Sequence, residues 1–368
     1  MEIRLFSNSI KIISTLIFAL FLGFSTVQAA DSPVSDETEK EFNITNFIFH
    51  HIADAHEFTM FGAGERWVGL HLPIILWTDN GLVTFNSKAF ELDAEATVVV
   101  EKESQRFVRY HGKIYYANEQ AVDGKYITYD AEHAVANVRP LDFSITKNVF
   151  TIFLSVFVLL IIFITTANGY KKRQGKSPKG LQSWMEPLIL FVRDDIARPN
   201  LGAKYERYMP YLLTVFFFIL FNNLLGLVPF FPGSANVTGN IAVTMVLALI
   251  TMLIILFSGN KYYWGHIFNP PVPWWLKPLM IPVEIVGVFT KPFALMIRLF
   301  ANITAGHILV LSLMCLIFIF NSVAIAPASI LFVVFIGLIE LLVAFIQAFI
   351  FTILSALFIG MAIEEHHD

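Results

Sequence analysis

Apolar and polar positions divide this chain unevenly. From about residue 146 onward, apolar runs dominate and are cut by short polar breaks. The first run spans Val149 to Ala167, and Lys171, Lys172, Arg173, Lys176 and Lys179 follow at once. A second runs from about Tyr208 to Val228 and stops at Pro229-Phe230-Phe231-Pro232-Gly233. A third covers Asn240 to Ser258. Two longer stretches close the chain, Leu279 to Phe320 and Ala328 to Met361, split by Asn321 and Pro327. A membrane helix needs roughly 20 apolar residues, so the pattern predicts about five membrane helices. The last two exceed a perpendicular crossing and are expected to tilt or bend, with a possible break at Pro292. Trp184 to Ile196 is shorter and is interrupted by Glu186, Arg193, Asp194 and Asp195, which reads as an amphipathic helix lying along the interface.

Residues 31 to 145 carry no such run. Apolar residues fall in short β-like stretches: Leu70 to Trp77, Leu82 to Phe85, Thr97 to Val100, Phe107 to Tyr116 and Tyr126 to Tyr129. His111-Gly112 divides one of them as a hairpin turn would. Asn43 to Phe61 is expected to be a helix with an apolar face. The fold class is therefore an all-α polytopic membrane protein carrying a small α+β module at its N-terminal side. Ahead of the module, Ile12 to Phe24 is apolar and is followed by Val27-Gln28-Ala29-Ala30, the layout of a signal peptide over residues 1–30. An uncleaved anchor helix is the other reading, and either exports residues 31–145. The basic cluster after the first span places that loop in the cytoplasm. The expected layout is a periplasmic extension (31–145), a membrane domain (146–368) and a cytoplasmic C-terminus.

Composition sharpens this. The chain has 368 residues, 56% hydrophobic and 15% charged, where soluble chains average about a quarter charged. A net charge of −4 names no partner, and no basic stripe suggests nucleic acid. Cys315 is the single cysteine, so no internal disulfide forms. No GxxxxGK[ST] phosphate loop is present, no cofactor is expected, and the chain is not expected to be an enzyme by itself. Six of the ten histidines (His50, His51, His56, His71, His111 and His133) lie in the module, but none pairs at i, i+4 as metal ligands on a helix would.

The informative residues are ionisable groups in the two long apolar stretches: Glu284, Lys291, Arg298, His307 and Glu340. A charge near the bilayer centre costs at least about 2.5–3.5 kcal/mol, so such groups pair, line water or bind something. Glu284, Lys291 and Arg298 are seven apart, and Asn302 follows four later, so the four share one helical stripe if Pro292 keeps the phase. His307, nine residues from Arg298, faces the other side. Glu340 and Gln347 share a face of the last helix. Histidine and carboxylate pKa values can be tuned for proton traffic; arginine stays charged and acts as a barrier. The plainer alternative is that these groups hold helices together, with His307 and Glu340 as an interhelical pair.

The segment Lys291-Pro292-Phe293-Ala294-Leu295-Met296-Ile297-Arg298-Leu299-Phe300-Ala301-Asn302-Ile303-Thr304-Ala305-Gly306-His307 resembles the signature of subunit a of F-type ATP synthases. Glu340 to Thr352 resembles that family's last helix, Asn223 to Pro229 its second span and Asn236-Val237-Thr238 the start of its third. The resemblance covers roughly residues 146 to 363. It implies a proton-translocating stator subunit with two half-channels set against a c-subunit ring. Arg298 then faces the ring carboxylate, with Asn302 and Gln347 nearby. Glu284 belongs to the cytoplasmic half-channel, and His307 with Glu340 to the outer one. Implied partners are the c-ring, the peripheral-stalk b subunits, the remaining synthase subunits and membrane lipid. Histidine precedes glutamate here, the reverse of some lineages, and Gly226 stands where some members carry an acid. A self-contained ion antiporter is the alternative of another class, although no internal repeat supports it. A membrane-anchored binding protein working through its external module is a third.

Overall fold

The computed structural model describes residues 53–61, 68–130, 134–173, 175–228, 233, 235–320 and 325–364. All of them belong to one compact unit, residues 44–368. The signal-like segment and the first part of the expected helix at 43–61 lie outside the described residues.

Among the described residues the N-terminal module has eight strands: β1 Glu57–Phe61, β2 Val68–His71, β3 Pro73–Thr78, β4 Gly81–Asn86, β5 Val100–Lys102, β6 Gln105–Tyr110, β7 Lys113–Tyr116 and β8 Leu141–Asp142. They form an antiparallel β1-β2 pair and two antiparallel three-stranded sheets, ordered β4-β3-β8 and β5-β6-β7. Alternate residues of the two larger sheets face each other. Ile74, Leu76, Val83, Phe90, Val100, Phe107 and Ile114 fill the space between them.

Several expectations are corrected here. Glu57 to Phe61 is a strand, not the end of a helix, because pairing with β2 buries Phe58 and sets Glu57 against buried Arg109. The apolar run Leu70 to Trp77 is split in two: Pro73 lacks a ladder N–H, and Leu72 instead donates its N–H to the His56 carbonyl at 3.1 Å. Thr97 to Val100 is strand only from Val100. The N–H groups of Thr97 and Val98 are taken by Asp93 Oδ2 at 2.7 and 2.9 Å, a side-chain competition that excludes ladder pairing. Tyr126 to Tyr129 makes a single bridge, Tyr129 to Val135. Asn137 holds this segment instead, accepting from the Thr128 N–H at 2.8 Å and donating to the Tyr116 carbonyl at 2.7 Å. The hairpin at His111-Gly112 forms as expected: Tyr110 pairs with Lys113, and both turn residues have positive φ, 45° and 75°.

Two features of the module carry predictions. Arg109 is buried, ion-paired with Glu57, donates Nε to the Asp93 carbonyl at 2.6 Å and lies over the Phe90 ring. Removing one member of a buried pair leaves a charge uncompensated, which costs about 3–5 kcal/mol. Arg109→Ala should therefore open the module to limited proteolysis between residues 68 and 142 while residues 181–363 stay protected. Asp93 is the second. Burial raises its pKa, but backbone N–H donation from Val98, Glu95 and Thr97 outweighs this and holds the carboxyl below its ordinary value. A lowered folded pKa gives stability present in full above the unfolded value of about 3.9. That stability is lost as pH falls through the folded value. Hydrogen exchange in the Asp93–Val98 loop should therefore accelerate below about pH 4, and Asp93→Ala should remove that dependence.

The module is tied to the membrane part. Lys147 N–H donates to the Ala55 carbonyl at 2.8 Å, Asn148 N–H to Asp54 Oδ1 at 3.1 Å and Ile145 N–H to the Pro73 carbonyl at 3.1 Å. Thr146 caps helix α1, Lys147–Lys172, by accepting from the Val149 N–H. Helix α2 (Leu181–Phe191) continues through a π-helical stretch, Val192–Ala197, and two short helical turns into α3, Tyr205–Leu227. The amphipathic stretch Trp184 to Ile196 is part of a nearly continuous helical path, Leu181–Leu227. Val192, Ile196 and Ala197 bury into the main core, while Asp194 binds Arg193 and Arg198 outside it. Helices α4 (Ile241–Ser258), α5 (Lys261–Phe268), α6 (Lys277–Ile319) and α7 (Ala326–Ile363) follow among the described residues.

Five helical segments among the described residues are long and apolar enough to cross a membrane. Their outward faces carry exposed Phe153, Phe157, Leu160, Leu331 and Phe335, as lipid contact requires. Helix α7 packs along α3 and α6, and α4 packs along α6. At 1.5 Å per residue, the 43 residues of α6 extend about 64 Å, twice the hydrocarbon thickness of about 30 Å. Pro282 and Pro292 lie inside α6 without ending it, so the break considered at Pro292 does not occur.

Candidate functional site

Because α6 is unbroken, the seven-residue spacing keeps its phase: Glu284, Lys291 and Arg298 lie along one side of it. Arg298 is the midpoint of the helix, 21 residues from Lys277 and 21 from Ile319. Its side chain is exposed on the helix surface and has no hydrogen-bond or ion-pair partner among the described residues. An arginine at this depth is stable only against a counter-charge, water or lipid headgroups.

Lower on the same stripe, Lys291 lies over the Phe358 ring of α7, 5.5 Å from its centre. Glu284, seven residues into α6, approaches His266 of α5 at 3.9 Å. His266 falls in a Trp- and Tyr-rich stretch that reads as membrane-interface sequence, so its link to Glu284 is set by the turn between α5 and α6.

A second cluster forms where α6, α7 and α3 meet. Asn302, Ile303 and His307 of α6, Glu340, Val343 and Ala344 of α7, and Asn223 and Leu227 of α3 enclose a cavity of about 20 Å³, room for roughly one water molecule. His307 and Glu340, 33 residues apart in sequence and expected to act as a pair, both line this one cavity. Gly306 explains how the carboxylate reaches it. A Cβ at position 306 would collide with Glu340 Oε1 and lie 3.2 Å from its Cδ, so the carboxylate rests on the bare glycine backbone. His307 Nε2 lies 3.7 Å from where a Cβ of Gly226 would be. Asn302, expected on the arginine stripe, also lines this cavity.

Gln347 is buried on α7 and is not hydrogen-bonded to Arg298. Asn223 is the residue that spacing arguments miss. It is buried, accepts from Thr238 Oγ at 2.5 Å and donates to the Ala344 carbonyl at 3.5 Å. It thereby fixes α3, the segment before α4, and α7 around the cavity. Its polar side chain in an apolar span was the available signal; its partners are remote in sequence. Among the described residues no group of three or more His, Cys, Asp or Glu side chains is placed to hold a metal.

The architecture is that of a multi-pass membrane protein with titratable groups between its helices and an arginine exposed at the middle of its longest one. A family model for the ATP synthase A chain matches residues 149–360, and a second, for a domain of unknown function (DUF8433), matches residues 47–143. The chain is 50% identical over 240 residues to ATP synthase subunit a of Chloroherpeton thalassium, covering 63% of this chain and 71% of the relative. It is 49% identical over 240 residues to ATP synthase subunit a 2 of Chlorobaculum tepidum, covering 63% and 67%. ATP synthase subunit a of Myxococcus xanthus is 46% identical over 237 residues, covering 62% and 76%. The chain belongs to the ATP synthase A chain family and is a subunit of the synthase's proton-transporting membrane sector.

Proposed function

We propose that this chain forms two aqueous half-channels against a rotating ring of c subunits and couples proton flow through them to ring rotation, without catalysing ATP chemistry itself. The observation that supports this most directly is the separation of its titratable groups by Arg298. Glu284 with His266 lies toward one end of α6, and His307 with Glu340 lies beyond the arginine on the other side. A permanent cation between two proton-accepting clusters blocks direct transfer from one to the other. Its exposed guanidinium suits a carboxylate presented by a neighbouring subunit.

In this reading protons reach the ring carboxylate from the periplasm past His307 and Glu340. They ride the ring and leave to the cytoplasm near Glu284. Each crossing releases about 2.3 kcal/mol per 100 mV. The basic cluster after α1 supports a cytoplasmic loop there, and five crossings then put the module in the periplasm and the C-terminus in the cytoplasm. Peripheral-stalk b subunits would hold the chain still while the ring turns.

The test is ring dependence. The purified chain in proteoliposomes should show no potential-driven proton flux, while the reconstituted membrane sector with its ring should. Flux through the chain alone would replace this reading with a self-contained transporter.

A further inference from the structure

The module's sheet β4-β3-β8 carries large apolar side chains on both faces. Its inward face supplies Ile74, Leu76 and Val83 to the core. On the outward face, Trp77 pairs directly with Leu82 on one side and Leu141 on the other, so the three form one row across the sheet. The next row holds Thr84, Ile75 and Phe143, the last joined by its N–H to the Ile75 carbonyl at 2.9 Å. Trp77, Leu82, Leu141 and Phe143 are 57%, 53%, 64% and 63% exposed. Neither row contains a charge.

A strand buried on one face normally alternates with polar residues on the other. Here the outward positions are mostly large apolar side chains, with Thr84 the polar member of the two rows. A contiguous exposed apolar patch marks a surface that something covers.

Position indicates what covers it. Phe143 lies four residues before Lys147, the first residue of α1, a reach of at most about 14 Å. The connection is not a loose tether, because Ile145, Lys147 and Asn148 are hydrogen-bonded back to Pro73, Ala55 and Asp54. The sheet is therefore fixed at the end of a membrane-spanning helix whose own exposed face begins with Phe153 and Phe157. The patch is thus held within a few residues of a lipid-facing helix, and its Trp, Phe and Leu side chains suit the boundary between headgroups and acyl chains.

We propose that the outward face of β4-β3-β8 lies on the bilayer leaflet adjoining α1, and that Trp77, Leu82, Leu141 and Phe143 insert into its interface. The module is then a membrane-resting platform rather than a domain projecting into water. This does not depend on the proton path.

Site-directed spin labelling tests it, and the single native cysteine makes this clean. In a Cys315→Ser chain, Leu82→Cys, Leu141→Cys, Phe143→Cys and the exposed control Glu101→Cys are labelled with a nitroxide. The chain is placed in phosphatidylcholine–phosphatidylglycerol nanodiscs, both alone and within the complete synthase. Labels at 82, 141 and 143 should collide preferentially with oxygen, and the label at 101 with a water-soluble nickel chelate, in both preparations. Equal nickel accessibility at all four positions overturns the proposal. Shielding at 82, 141 and 143 only within the complete synthase also overturns it, and assigns the face to a protein partner. If a cysteine variant fails to fold, the unlabelled chain gives the same answer: bromine-labelled lipids should quench emission that disappears in Trp77→Phe, and no such difference rejects lipid contact.

Discussion

Arg298→Ala is expected to abolish ATP-driven proton pumping, to below about one hundredth of the parent rate, an effect of about 2.7 kcal/mol or more. The synthase should still assemble. The reasoning is local. Arg298 is exposed, makes no hydrogen bond or ion pair to a neighbouring helix among the described residues, and sits at the midpoint of a continuous helix. Its removal therefore leaves no cavity in the core and relieves rather than creates the cost of a charge in lipid. What disappears is the fixed positive charge between the Glu284 and His307–Glu340 clusters. Arg298→Lys keeps a charge but not the planar fork, and an ammonium in lipid readily gives up its proton; it should restore only a small part of the rate. Acidification of inverted vesicles measures pumping, and sedimentation of the detergent-solubilised complex measures assembly. Near-normal pumping by the alanine variant would end the half-channel reading.

Gly306→Ala should slow proton flux by roughly tenfold, about 1.4 kcal/mol, with little loss of stability. The added Cβ meets Glu340 Oε1, the free end of a flexible side chain, and not backbone. The fold can yield cheaply by swinging the carboxylate aside. That movement takes it out of the position it holds beside His307 and Asn302. Glu340→Gln, which keeps the shape and removes the titration, should slow flux at least as much. A double variant, Gly306→Ala with Glu340→Asp, provides the discriminating measurement. The shorter acid clears the new methyl, so the pair should be faster than additivity of the single effects predicts. Strict additivity would mean that the contact between residues 306 and 340 has no part in transport.

How much of this is legible in the sequence depends on the range of the interaction involved. The five membrane segments follow from runs of apolar residues, which act independently of what surrounds them. The hairpin at His111-Gly112 is equally local, because two residues with positive φ decide it. The strand at Glu57–Phe61 is not, since β2 and Arg109 create it. Thr97 and Val98 look like strand residues, yet Asp93, four and five positions away, takes their N–H groups. Tyr126 to Tyr129 has strand composition but makes one bridge, and the remote Asn137 side chain takes the Thr128 N–H in place of a ladder partner.

The same division runs through the candidate site. Residue type and depth alone mark Arg298, His307, Glu340 and Glu284 as costly in lipid and therefore purposeful, and seven-residue spacing aligns three of the α6 charges. The sequence by itself determined that this protein crosses a membrane and that it keeps ionisable groups inside, because both follow from transfer energies that each residue carries with it. Tertiary structure alone decided that Pro292 leaves α6 whole, that Gly306 makes room for Glu340, that Asn223 ties three segments around their cavity, and that an apolar sheet face adjoins α1. Each of those depends on which atoms from distant positions come within a few ångströms, and no local preference encodes that.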